Sequence, residues 1–180
     1  MADFVEETAA LLERTPRVLE ALLDGLPEDW LLTPDSEGGW RAWDVIGHLI
    51  SGELNNWIPR IEILLAEGTS RPFEPFDRFE HLERDAGVPL EALVDRFGVL
   101  RSRNLLRLRE LVVDDSVLER RGLHPQFGEV TLRQVLAAWT VHDLDHIAQI
   151  FSSLAGSRDV EVGPYDEFLG ILLRRRQPAG

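Results

Sequence analysis

Apolar residues recur at helical spacing in four stretches, roughly 3–24, 41–66, 88–112 and 131–155, and segments rich in Gly and Pro separate most of them. The first stretch begins after Asp3 and carries Phe4, Leu11, Leu12, Val18, Leu19, Leu22 and Leu23 before Asp24-Gly25 ends it. Pro16 is expected to kink it, because proline removes a backbone donor in mid-helix. A shorter helix is expected near 164–176.

The connections narrow the architecture. The linker from Pro27 to Gly39 contains Pro34 and Gly38-Gly39, and it delivers Trp40 and Trp43 to the entrance of the second helix, where rings of that size usually anchor a core. Residues 67–87, with Arg71-Pro72-Phe73-Glu74-Pro75-Phe76, are a long crossover, and Asp114 to Val130, with Gly122, Pro125 and Gly128, is a second long connection. Connections of this length permit bundle neighbours that are not simply up-down-up-down. No internal repeat, low-complexity tract or break in composition marks a second domain, so residues 1–180 are expected to form one all-α domain, a four-helix bundle with long crossover connections.

Composition limits the partners. The 32 acidic residues face 19 basic ones, all of them Arg, for a formal charge of −13. Such a field repels phosphate backbones and anionic lipid, which argues against nucleic acid and membrane partners and for a small-molecule substrate or a protein. The absence of cysteine excludes disulfides, Cys-based zinc sites and a cysteine nucleophile. The start, Met1 to Glu7, is acidic and lacks a basic n-region, and no apolar run approaches the ~20 residues of a membrane span, so a cytoplasmic protein is expected.

The segment Thr140 to Gln149 places His142 and His146 four residues apart. On a helix, Cβ atoms at that spacing stand about 5–6 Å apart, which lets two imidazoles reach one metal ion. Turning 100° per residue from Leu132 puts Val135, Leu136, Trp139, Ile150 and Leu154 in one stripe, with His146 inside it and His142 at its edge. Asp143 falls in the same stripe and Asp145 opposite. An inward carboxylate needs a partner, either the free N–H of a ligand histidine or an Arg from another helix. A single inward histidine is usually a core imidazole with a hydroxyl or carbonyl partner, whereas two side by side leave several ring nitrogens to satisfy.

A third histidine decides between these readings, and His48, within Trp40 to Ile50, is the best candidate. Glu53, Asn56 and Arg60 share the expected solvent face of that helix, and Asp44, Ser51, Asn55 and Ile58 the other, with His48 at its margin. The small Ser51 and Gly52 would leave space above a metal, although Glu62 on the same side keeps an inward His48 permitted rather than required. His81 and His124 fall in the long connections and are expected to be solvated. The run Leu172 to Arg176 reads as a cationic helix end that complements the dipole, followed by a frayed Gln177-Pro178-Ala179-Gly180.

Gly38-Gly39-Trp40 followed by Asp44-Val45-Ile46-Gly47-His48-Leu49, and Thr131-Leu132-Arg133-Gln134 leading into His142-Asp143-Leu144-Asp145-His146-Ile147-Ala148-Gln149, resemble the DinB/YfiT-like superfamily of metal-binding four-helix bundles. The resemblance runs from the first helix to about Leu154. It implies that His48, His142 and His146 bind a divalent metal, Zn, Ni or Fe, and that the chain forms a homodimer. Relatives include thiol-dependent transferases that use bacillithiol or mycothiol, a maleylpyruvate isomerase and hydrolases, and a shared fold does not choose among them.

The expected function is therefore a divalent-metal-dependent enzyme whose three-His site activates water or a thiol, as a hydrolase or a thiol S-transferase. With no cysteine in the chain, a thiol would have to come from a low-molecular-weight cosubstrate. Asp143 and Gln149 are candidates for orienting the ligands and Asn55 for lining the pocket, with simple packing or capping the alternative for each. His142-Asp143-x-x-His146 is close to the zinc-protease motif HExxH, but the shorter Asp and the lack of a downstream third ligand argue against a protease. The alternative function is a non-catalytic bundle that binds a metal or a small molecule.

Overall fold

The computed structural model describes residues 4–175. The first expected helix is two, α1 (Phe4–Leu12) and α2 (Arg14–Leu23), divided at Glu13. Pro16 causes the break three residues ahead of itself: it has no N–H for the Leu12 carbonyl four residues back, and its ring crowds that carbonyl. After a single turn, α3 (Glu28–Leu31), the expected second helix is divided in the same manner, into α4 (Ala42–Asn55) and α5 (Trp57–Glu67). The break at Asn56 (φ −113, ψ −69) lies three residues before Pro59. The 67–87 crossover contains one short helix, α6 (Glu80–Arg84), and leads into α7 (Leu90–Leu111).

The second long connection is more ordered than its sequence suggests. It folds into an antiparallel hairpin, β1 (Arg121–His124) and β2 (Gly128–Thr131), with Gly128 at φ +75 closing the turn. The Phe73 N–H donates to the Leu123 carbonyl at 2.9 Å, tying the hairpin to the crossover, and Gly122 has no room for a Cβ, which would stand 2.7 Å from the Phe73 ring. From this hairpin the chain enters α8 (Leu132–Gly156) through a capping box: Thr131 Oγ1 accepts from Gln134 N, and Gln134 Oε1 accepts from Thr131 N. The expected helix near 164–176 is a 3₁₀ segment, Gly163–Phe168, followed by α9 (Gly170–Arg175). Arg176 and the tail Gln177 to Gly180, with the expected frayed cationic end, lie outside the described residues. Among the described residues, no helix is long and apolar enough to cross a membrane.

The rods α1/α2 and α4/α5, though consecutive in sequence, stand across the bundle from each other, and α7 and α8 pack between them on either side. Four helices in this order bury two apolar clusters. One gathers Leu12, Ile61, Leu108, Leu136 and Trp139; the other gathers Leu19, Ile46, Phe97 and Ile150. A polar layer separates them on every rod, at the level of the two proline breaks.

The centre of that layer is Arg101 of α7, 1% exposed. Its Nε and Nη2 donate to Glu53 Oε1 of α4 at 3.1 and 2.8 Å. Its Nη1 and Nη2 donate to the Asp143 carboxylate of α8 at 2.6 and 3.0 Å. The remaining Nη1 bond, at 2.8 Å, goes to the Leu12 carbonyl, the acceptor that Pro16 leaves without a helical donor. All five guanidinium donors are used, and one side chain joins the four rods. Asn104 Nδ2 and Trp139 Nε1 also donate to Glu53, while the guanidinium lies 4.9 Å from the Phe97 ring centroid. Burial opposes the Arg101 charge, but Glu53 and Asp143 outweigh it and raise its pKa; burial likewise raises that of Glu53, against the pull of Arg101.

Removing one partner of a buried ion pair costs about 3–5 kcal/mol, because the other charges stay buried without compensation. Arg101→Ala should lower the unfolding free energy by about that amount in urea titrations followed by circular dichroism. A loss below about 1 kcal/mol, the scale of a surface pair, would contradict a structural role for this cluster.

Candidate metal centre

His48 lies in mid-α4, 3% exposed, while α8 contributes His146, 8% exposed, and the half-buried His142. Their Nε2 atoms converge, with His142 at 3.2 Å from His48 and 3.1 Å from His146. One ligand atom from each falls within 4.8 Å of the others. Two nitrogens held by one ion at about 2.0–2.1 Å stand about 2.8–3.4 Å apart for angles between octahedral and tetrahedral, and both separations from His142 Nε2 fall in that range. Burial pushes the His48 pKa down to about 3, with His146 and His81 adding to the shift, and burial also lowers His142 and His146. Neutral rings present the lone pairs that a divalent cation requires.

Aromatic rings wall the cluster. Trp40 lies 4.9 Å from His48 and stacks at 6.3 Å and 18° on His146. Trp57, stacked on Trp139, meets His142 edge-on at 5.2 Å, and Phe76 of the crossover meets His48 at 5.6 Å. Trp40 is thus a wall of the site as well as an anchor. Trp43 serves the anchoring role, its Nε1 donating to the Val88 carbonyl at 2.9 Å.

His81 departs from expectation. It is 2% exposed, on α6, 5.7 Å from His48 and 4.9 Å from Trp40. α6 reaches this depth by docking over Gly47, where a Cβ would stand 3.1 Å from the His81 ring. His124 is not a solvated loop residue either: its Nδ1 accepts from the Gln126 and Phe127 amides, its Nε2 meets Arg60 at 3.1 Å, and its ring stacks on Phe127.

The faces of the second helix also differ from the helical-wheel reading. Every residue from Val45 to Glu53 is buried, because α6, α7 and α8 all pack on α4. Glu53 and Asn56, expected in solvent, are inside. Ser51 and Gly52 leave no open space: Arg84 Nη1 donates to Ser51 Oγ at 2.7 Å, and the Trp57 indole fills the place of the absent Gly52 side chain.

Among the candidate orienting residues, Asp143 pairs with Arg101, the interhelical option, and Gln149 Oε1 meets His146 Nδ1 at 2.7 Å. Asn55 is exposed and donates to Glu80 at 2.9 Å, outside the ring cluster. Arg101, Glu53, Asp35 and His81 are not singled out by pattern. Arg101 has a signal, since Phe97, Arg101, Leu105 and Leu108 follow one apolar stripe.

The lowered histidine pKa values set a pH dependence. An unfolded histidine takes up a proton near pH 6.5, whereas His48 does so only near pH 3, so between those limits the unfolded chain binds more protons. Stability is therefore complete above about pH 6.5 and falls below it, by up to ~1.4 kcal/mol per pH unit for each such ring. Chelator-treated protein should unfold at lower urea at pH 5 than at pH 7, and His48→Leu should flatten that dependence. An unchanged midpoint would contradict the neutral cluster.

Known proteins are similar to this chain in fold and in sequence. A profile of the DinB superfamily matches residues 11–150. A protein of Oceanobacillus iheyensis described as a "putative metal-dependent hydrolase" is 29% identical over 142 residues, which cover 78% of this chain and 80% of that protein. A Bacillus cereus protein of the same description is 27% identical over 143 residues, with 78% and 80% covered. In fold, the chain matches YfiT from Bacillus subtilis, "a probable metal-dependent hydrolase with an unusual four-helix bundle topology", at a TM-score of 0.70 and 24% identity over 84% of this chain and 86% of that one. The profile runs from the end of α1 through both α8 histidines, and on that match this chain belongs to the DinB superfamily.

Proposed function

We propose that the chain is a divalent-metal-dependent enzyme of hydrolase type in which His48, His142 and His146 hold one Zn, Ni or Fe ion. The observation that carries this reading is the convergence of the His48 and His146 Nε2 atoms on that of His142, at 3.2 and 3.1 Å, on helices fixed by a buried ion cluster. The names of the curated relatives support it. When bound, such an ion would supply Lewis acidity that brings the pKa of bound water to about 7 or holds a thiol as its thiolate at neutral pH.

The chain's own residues do the rest. Gln149 orients His146, and the bond of Asp143 to Arg101 fixes the rotation of α8 between its two histidines. Trp40, Trp57 and Phe76 keep the surroundings of the rings apolar, and the half-buried His142 marks the side nearest solvent. The formal charge of −13 favours a small neutral or cationic substrate over a polyanion. Thiol transfer is the second arm of the proposal and requires a small thiol cosubstrate.

A second copy of the chain is the proposed partner of the outward face of α8. There Ala137, Val141, Leu144, Ala148 and Phe151 are all exposed and follow the 4-3-4-3 spacing of a coiled-coil seam. An antiparallel pairing about a two-fold axis at Leu144 would set each Phe151 over the small Ala137 of the other copy, a self-complementary fit of large on small.

Tag-free protein should carry close to one equivalent of divalent metal by mass spectrometry, and His142→Ala/His146→Ala should carry none. The metal-loaded enzyme should hydrolyse members of an ester and amide panel or join a small thiol to an electrophile. Metal retained by the double variant would refute the ligand set, and inertness in both assays would favour the binding-only bundle. Light scattering should give a dimer that Leu144→Glu converts to monomer; a wild-type monomer would refute the seam.

A further inference from the structure

The loop before Trp40 contains a carboxylate that reaches the third histidine through one intermediary. Asp35 Oδ2 accepts from Gln149 Nε2 at 3.0 Å, and Gln149 Oε1 meets His146 Nδ1 at 2.7 Å. The other oxygen, Oδ1, accepts from the Trp40 backbone N–H at 2.7 Å, and the Asp35 N–H donates to the Trp40 carbonyl at 2.9 Å. The arrangement is built in: a Cβ on Gly39 would overlap the Asp35 carboxylate, and Gly38 turns the chain at φ +71. Ser153 Oγ donates to the Thr33 carbonyl at 2.6 Å and fastens the same loop to α8.

The hydrogen-bond polarity of this chain of groups has one solution. An ionised carboxylate only accepts, so Gln149 must turn its NH₂ toward Asp35 and its oxygen toward the imidazole. That oxygen also only accepts, so His146 must carry its proton on Nδ1. Nε2 is then left with its lone pair, directed at the Nε2 atoms of His48 and His142. His48 Nδ1 meets a backbone carbonyl, that of Arg78, at 3.4 Å, and among the described residues His142 Nδ1 has no partner.

We infer that Asp35 is a positioning residue that sets the tautomer of His146 through the amide of Gln149, and that the same carboxylate holds Trp40 over the ring. The part concerning metal affinity rests on the three-His reading above; the part concerning the tautomer does not.

Asp35→Asn isolates the effect. Asparagine keeps the size but has one oxygen, so if that oxygen serves the Trp40 N–H, its NH₂ faces Gln149. The Gln149 amide then reverses, its NH₂ faces His146 Nδ1, and the ring proton moves to Nε2. Adding Gln149→Glu restores the polarity, because a carboxylate in place of that amide accepts from both the new Asn NH₂ and the imidazole.

The measurement is long-range ¹H–¹⁵N NMR of the histidine rings in chelator-treated protein, with zinc affinity read separately by competition with a chromophoric chelator. Wild type should show His146 as the Nδ1–H tautomer, Asp35→Asn should shift it toward Nε2–H, and the double variant should return it. Zinc affinity should fall about 10–100-fold in Asp35→Asn and recover in the double variant. An Nε2–H tautomer in wild type, or an unchanged tautomer in a folded Asp35→Asn protein, would overturn the inference. A tautomer that moves as described in a chain that binds no zinc would uphold it while refuting the metal reading.

Discussion

Everything in this bundle is arranged around one buried guanidinium. Arg101 has five donors and spends them on α1, α4 and α8 from its own place on α7, so the mutual depth of the four rods is set at one level. An arginine can do this because its donors lie in a rigid plane; a lysine, with three donors at one point, would leave acceptors unmatched. The Pro16 break belongs to the same arrangement, since the carbonyl it releases receives the guanidinium. A proline that would otherwise only weaken a helix thereby creates an interhelical bond.

The histidine cluster inherits its geometry from this layer. Asp143 lies between His142 and His146 on α8, and Glu53 lies five residues beyond His48 on α4. The ion cluster therefore fixes the register and rotation of both helices that bring the Nε2 atoms together. Burial keeps the rings neutral, aromatic walls surround them, and the Asp35 loop reaches His146 through Gln149. The site is thus held by a buried ion cluster and by a hydrogen-bond relay, with its three rings on helices rather than on loops.

Much of this was legible in the sequence. The period of the apolar residues gave α7 and α8 nearly to the residue, and Thr131 with Gln134 marks where α8 starts. The i,i+4 spacing of His142 and His146 and the inward angle of His146 follow from helix geometry alone. The faces of α4 escape a helical wheel, which assumes one buried face. α4 is covered on all sides, so a wheel puts Glu53 in solvent, and nothing local announces that α6 will dock over Gly47 and carry His81 inside. The partner of Asp143 lies 42 residues away and that of Gln149 lies 114 away, distances over which single-sequence patterns are silent. The hairpin escaped because four-residue strands are too short to establish a period of two.

The most direct test of the central claim is the coordination sphere itself. X-ray absorption spectroscopy of the zinc-loaded protein should show three imidazole nitrogens at about 2.0–2.1 Å, with further scattering from lighter atoms only. A first shell dominated by carboxylate oxygen, or one with fewer than two imidazoles, would contradict the account that these converging Nε2 atoms form a metal site.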